Sequence, residues 1–371
     1  MARLHDLPAE LVVATMKYFD TPQDILAVIQ ADPWALLCFL GNRRQVLEKH
    51  LTNLLNAYGG HLSIAVVLAA RLRHAKQDPA FNSHKPQHRE RILSPIILSH
   101  VNRADVRHRL SYQASLATIC ALLNLAPDVE WMTTSYAAQA WNRMTQHSSY
   151  RRNQRQISDK ERQKLINAAC RFESYIQAFF HHEEPLFPRD LSIRRLLFAP
   201  SLSNVEKECK TIQTFYSTVY YIYDQHWSML NNVASYLRTR QSCSICSRAQ
   251  ASTDPQKERQ QLRLQNCTQL NMNKYVHYLT SQGLGMFLHL QSMDLEDQLR
   301  FVLSTFEDIL DNRHPTTLIV HGINLHKIGT IEKHSWNPWV LCENAFEMEP
   351  GQWRWAASFW DSHRRGLHPL Y

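Results

Sequence analysis

The chain has 371 residues, with 41 Lys+Arg against 33 Asp+Glu, a formal charge of +8 and 44% hydrophobic residues. That length exceeds what one core comfortably serves, so one large domain plus a smaller unit is expected, and the apolar content excludes wholesale disorder. Only 9 glycines are present, where average usage of about 7% gives about 26, which weighs against a hairpin-rich all-β fold and against a Gly-rich phosphate loop.

Leu7-Pro8 opens a first helix that runs to about Phe19. Proline suits the first turn, where its missing N–H costs nothing. Val12, Met16 and Phe19 then recur at i, i+4, i+7. Asp20 ends this helix. Thr21 caps a second, with Pro22 at its first position and Asp24 near the positive end. Its apolar face is Ile25, Val28 and Ile29, with Leu26 alongside. Asp32-Pro33 restarts a third helix carrying Trp34, Leu37 and Cys38, which Gly41-Asn42 is expected to end. A longer helix is expected from Arg43 to Tyr58, stopped by Gly59-Gly60, and another over Leu62 to Leu72. Residues 76–89 are polar and hold two prolines, so an exposed, mobile loop is expected there. Helical pattern resumes near Ile92 and again from Val106 to Leu125.

Ser158 with Glu161 forms a capping box, and its helix should reach about Phe180 before closing at His181-His182-Glu183-Glu184-Pro185. Ser203 with Glu206 is a second box. Behind it Val205, Cys209, Ile212, Tyr216, Val219, Tyr223, His226, Leu230, Val233 and Leu237 alternate in steps of four and three. The aromatics and the lack of flanking charges favour a buried central helix over a coiled coil. Residues 239–261 are polar and free of aromatics, and a second mobile loop is expected. Helices follow over Leu270 to Leu290, broken at Gly283 and Gly285, and over Leu295 to Asn312, capped by Asp294. Thr316 to Val320 is β-branched, so a short β-hairpin is expected near 316–340. Trp336, Trp339, Trp353, Trp355 and Trp360 are expected to seal a core. The expectation is therefore an all-α fold: a three-helix unit over 1–50 packed on a larger, irregular helical domain over 51–371.

Candidate chemical sites are weak. Cys243-x-x-Cys246 has no second knuckle, the nearest downstream ligands being Cys267 and His277. The His181-to-Glu184 cluster lacks the spacing that places two imidazoles on one helix face. Arg151, Arg152, Arg155, Lys160, Arg162 and Lys164 carry no nucleic-acid motif and read as a solvated face. No catalytic residue, metal or cofactor is expected, and no nucleic-acid partner. No apolar run approaches the roughly 18 residues of a membrane span. Asp6, Pro8 and Glu10 exclude a secretory signal within the first ten residues. A cytoplasmic or nuclear location with its eight cysteines reduced is expected.

The segment Leu7-Pro8-Ala9-Glu10-Leu11, then Tyr18-Phe19-Asp20-Thr21-Pro22-Gln23-Asp24-Ile25-Leu26, then Trp34 resembles an F-box. The resemblance lies in an LPxEL opening, a capped Asp-Ile step and a following aromatic, and it spans roughly an eighth of the chain. Between Ile25 and Trp34 the sequence reads LAVIQADP, without the Val-Cys-Lys-Arg usual in that family. The stretches SDKERQKLINAACRFESYIQAFF from Ser158 and WRWAASFWDSHRRGL from Trp353 are similar to helical F-box-like proteins of filamentous fungi. The resemblance implies a non-catalytic substrate receptor of an SCF-type ubiquitin ligase. It would dock a Skp-family adaptor through Leu7, Pro8, Leu11, Ile25, Leu26, Val28 and Trp34, and a protein substrate through the helical domain. The rival expectation is a helical scaffold whose F-box-like start is part of its own core.

Overall fold

A computed structural model of the protein describes residues 6–101, 115–146, 157–181, 184–187, 193, 205–242, 255–311, 354, 356 and 358–360. Among these residues the fold is all-α, with thirteen helices and one two-residue hairpin. The hairpin expected near 316–340, the Ser203 cap, and four of the five C-terminal tryptophans lie outside the described residues. The fifth, Trp360, is buried beside Phe359. The chain divides into two compact units, Met1–Thr133 with Ile157–Ser174, and Thr134–Gln156 with Tyr175–Tyr371. A border near residue 50 is not observed; that position lies inside a continuous helix.

The first unit begins with α1 (Ala9–Tyr18), α2 (Pro22–Ala31) and α3 (Pro33–Ala57). Each start is set by a proline beside a capping group. Pro8 O accepts from Leu11 N at 3.0 Å and Val12 N at 3.3 Å. Thr21 Oγ1 accepts from Asp24 N at 3.3 Å, and Asp32 Oδ1 accepts from Trp34 N at 2.7 Å. The helix expected to end at Gly41-Asn42 instead kinks there. Asn42 has φ −124° and ψ 20°, and its Nδ2 donates to Cys38 O at 3.1 Å. The axis continues because Cys38 and Phe39 below the kink and Val46 and Leu47 above it are all buried in one core.

Four more helices follow: α4 (Ile64–Gln77), α5 (Pro79–Ser83), α6 (Pro86–Val101) and α7 (Leu116–Gln146), the last belonging to this unit only as far as Thr133. The polar stretch 76–89 is thus helical rather than a loop. Its prolines stand where helices begin, Asp78 Oδ1 accepts from Ala80 N at 2.9 Å, and Phe81 is buried as the anchor. Arg89 then donates from Nε to Phe81 O at 3.2 Å and from Nη2 to Asn82 O at 2.8 Å. α8 (Asp159–Phe179) completes the unit with its residues up to Ser174. Its capping box forms as expected: Ser158 N donates to Glu161 Oε2 at 2.9 Å and Glu161 N to Ser158 Oγ at 3.2 Å. The core of α1 to α3 is closed by Leu116, Ile119 and Cys120 of α7.

The end of α3 shows why two glycines stand together. Gly59 has φ +70° and Gly60 φ +90°, and Gly60 N donates to Leu55 O at 2.7 Å, tying off the last turn. Gln163 of α8 donates its Nε2 to Tyr58 O and, at 3.0 Å, to Gly59 O. A Cβ at position 59 would collide with that amide, whereas open space surrounds Gly60. Gly59→Ala is expected to cost about 2 kcal/mol and Gly60→Ala about 1 kcal/mol, since only the former adds a lost hydrogen bond to backbone strain. Urea midpoints of the two variants check the order.

The second unit takes the end of α7 from Thr134 and the end of α8 from Tyr175, and continues with β1 (Phe180–His181) paired antiparallel to β2 (Glu184–Pro185). Its centre is α9 (Val205–Ser242), followed by α10 (Pro255–Gln265), α11 (Gln269–Ser281), α12 (Gly283–Ser292) and α13 (Leu295–Asp311). The periodic positions Tyr216, Val219, Tyr223, His226, Leu230, Val233 and Leu237 are all buried, as a central helix requires. Its tyrosine hydroxyls find partners: Tyr223 Oη donates to Asn273 Oδ1 at 2.8 Å, and Tyr236 Oη donates to Glu296 Oε2 at 3.0 Å. The loop expected over 239–261 is helical at both ends, to Ser242 and again from Pro255, and residues 243–254 lie outside the described residues. α10 is held although polar because Leu264 is buried and Arg263 bridges Asp311 and Glu307 of α13. Gly283, at φ +85°, makes the expected break between α11 and α12. Asp294 Oδ1 accepts from Asp297 N at 2.8 Å as the cap of α13.

Candidate protein-docking face

The seven residues singled out by sequence divide into two classes. Leu7, just before α1, and Leu11 on it are 42% and 54% exposed, and Pro8 is exposed between them. Ile25, on α2, is fully buried in the core of the unit, while Leu26, Val28 and Trp34 are half-buried and packed against that core. Trp34 couples the two classes, since its Nε1 donates to Leu7 O at 3.3 Å. Farther along, Lys17 Nζ donates to Gln45 Oε1 at 2.9 Å. The pairs 7 with 34 and 17 with 45 show α1 and α3 lying side by side in the same direction.

Four further apolar residues on these helices are open to solvent. Tyr18 of α1 is 85% exposed, and Leu36, Leu37 and Leu40 of α3 are 38%, 62% and 56% exposed. The first two turns of α3 read Trp-Ala-Leu-Leu-Cys-Phe-Leu, more apolar surface than one face can bury. Ala35, Cys38 and Phe39 take the core, so Leu36, Leu37 and Leu40 are left on the opposite arc. That imbalance was the sequence signal. Covering one such leucine completely contributes about 1.5–3 kcal/mol, so a partner that sealed several would gain appreciably.

The surrounding charge is mixed. Glu10, Lys17, Arg44 and Lys49 are exposed on the same two helices, and Lys49 lies 3.6 Å from the exposed Asp20. A rim of this kind adds orientation more than affinity.

Other candidates are less developed. Cys243, Cys246, His182, Glu183, Arg151, Arg152 and Arg155 lie outside the described residues. Among the described residues no group of His, Cys, Asp and Glu is arranged to hold a metal ion. Cys267 is half-buried, its thiol pushed up to about 11 by burial, and His277 is buried with its ring 5.3 Å from that of Tyr223. Arg162 is engaged with Glu130 at 2.6 Å. A recess of about 540 Å3 between α4, α5 and α6 is lined by His74, Gln77, Asp78, Phe81, His84 and Ile92. The carboxylate in it already serves as the cap of α5. Among the described residues no helix is long and apolar enough to cross a membrane.

In comparisons with known proteins, no family model, no curated protein and no solved structure matches the chain.

Proposed function

We propose that the chain is a non-catalytic substrate receptor of an SCF-type ubiquitin ligase, working in the cytoplasm or nucleus. It docks a Skp-family adaptor through the outward side of α1 and α3 and holds a protein substrate through its helical remainder. One observation supports this above others: Leu7, Leu11, Leu36, Leu37 and Leu40 are solvent-open on the helices that resemble an F-box, while the opposite faces of those helices are core. Such a subunit contributes proximity, raising the effective concentration of a substrate beside a charged ubiquitin carrier.

Ile25 favours the rival reading, a helical scaffold, because this member of the expected contact set is sealed beneath the chain itself and Leu26, Val28 and Trp34 pack against the same core. The distinguishing experiment uses exposed positions, whose substitution leaves the fold intact. Wild-type chain co-expressed with a Skp-family protein is expected to co-purify with it. Leu11→Asp combined with Leu37→Asp is expected to lose the partner at unchanged helical circular dichroism. A wild-type chain that brings down no Skp-family protein removes the adaptor reading in favour of the scaffold.

A further inference from the structure

Gly41 stands in the interior of α3 and has helical φ/ψ. Glycine is a costly residue at such a position, because it gives up more conformational freedom on folding than any other. Among the described residues the chain's own packing does not ask for it. Its φ is not positive, and a Cβ built there meets open space. The kink beside it falls on Asn42, which holds Cys38 O through its own Nδ2. Gly41 is exposed, and a residue without a side chain on the outside of a helix permits close approach by another helix.

The notch belongs to a pattern. Leu36 and Leu40 lie one turn apart along one edge of the solvent-facing arc of α3, and Leu37 and Gly41 lie one turn apart along the other edge. All four are exposed, while Ala35, Cys38 and Phe39 on the opposite side are buried. Two such arcs laid antiparallel about a two-fold axis bring position i of one copy against position i+4 of the other on the same edge. Each Leu37 then meets the other copy's Gly41, a knob over a notch, and each Leu36 meets the other copy's Leu40. A parallel pairing sets Leu37 on Leu37 and Gly41 on Gly41, which leaves the notch empty.

We propose that this arc of α3 is a self-pairing surface, through which two copies of the free chain associate as an antiparallel helix pair. The occupant is a second copy because the pattern is complementary to itself: one chain supplies both the protruding leucine and the notch that takes it. An interface centred on three leucines per copy belongs to the small, weak class rather than the stable one, so the pair is reversible and forms with concentration. The same leucines are offered to the adaptor, so an adaptor and a second copy exclude each other on this face. The pairing itself does not rest on the adaptor reading, since it is a property of the chain alone.

Sedimentation equilibrium of the full chain, from about 1 to about 200 μM, tests the assignment. The wild type is expected to pass from the 43.4 kDa monomer to a species of twice that mass. Gly41→Leu fills the notch with a better helix former where open space surrounds it. It is expected to keep its helical circular dichroism and to weaken pairing about tenfold or more. Leu37→Gly, which removes the knob, is expected to weaken pairing by a similar factor. Leu37→Gly combined with Gly41→Leu exchanges knob and notch, and is expected to restore pairing to within about threefold of the wild type. A wild type that stays monomeric throughout overturns the pairing, as does undiminished association in Gly41→Leu. A combined variant that pairs no better than the single ones overturns the antiparallel match of Leu37 with Gly41.

Discussion

Arg73→Met is expected to destabilise the protein by about 3–5 kcal/mol, the cost of stranding buried charge. Arg73 on α4 reaches Asp128 of α7 at 2.6 Å through Nη1 and Glu173 of α8 at 2.9 Å through Nε. Its side chain is 14% exposed, that of Asp128 13%, and that of Glu173 not at all. Burial alone would lower the guanidinium; the two carboxylates outweigh it and raise the group instead. Burial raises Asp128 in spite of the opposing Arg73 guanidinium. Removing the arginine leaves two carboxylates enclosed together. Urea denaturation followed by far-UV circular dichroism reads the loss. Adding Asp128→Leu and Glu173→Leu is expected to recover most of it, because an apolar replacement of a whole buried cluster is often near neutral. A loss in Arg73→Met below about 1 kcal/mol would place the cluster among ordinary surface pairs and contradict its burial.

Acid sensitivity of the second unit supplies the other large effect. His226 of α9 is fully buried, with neither ring nitrogen hydrogen-bonded among the described residues, and its ring stands edge-on to Phe287 at 5.4 Å. Burial lowers its pKa to about 3, against an unfolded value of about 6.5. Above the unfolded value both states hold neutral imidazole and no pH dependence arises. Between 6.5 and 3 the unfolded chain binds a proton that the folded chain refuses, so stability falls as pH falls. From pH 7 to pH 4 this one group is expected to remove roughly 3 kcal/mol. His50 of the first unit, also lowered by burial, acts in the same sense. The measurement is therefore the difference between wild type and His226→Met, which fills a similar volume without a titrating ring. The variant should lose about one proton of acid dependence. An identical slope in both proteins would show that His226 is protonated in place.

Local chemistry was legible in the sequence and long-range pairing was not. The Ser158–Glu161 box, the Asp294 cap, the glycine stop after Tyr58 and the buried period of α9 all depend on residues within a few turns of one another. Residues 76–89, and 239–261 at its two described ends, are helical where a loop was expected, because polarity alone does not mean solvation. A buried side chain, Phe81 in the first and Leu264 just beyond the second, helps to fix a helix that is otherwise polar. At the proposed docking face the sequence indicated Leu7 and Leu11, which are open, but also Ile25, which is not. Apolar character alone does not distinguish a core residue from a contact residue. Leu36, Leu37 and Leu40 became recognisable only once the core had claimed Ala35, Cys38 and Phe39.

The first unit borrows residues 157–174 from beyond a stretch of chain assigned to the other unit. Gln163, which clasps the end of α3, and Glu173, which shares Arg73, both arrive late in synthesis. A growing chain that has emerged from the ribosome only as far as residue 133 must therefore wait, with Arg73 facing Asp128 alone and the last turn of α3 unclasped. Its opening helices are displayed to chaperones and would-be companions well before the body that steadies them exists.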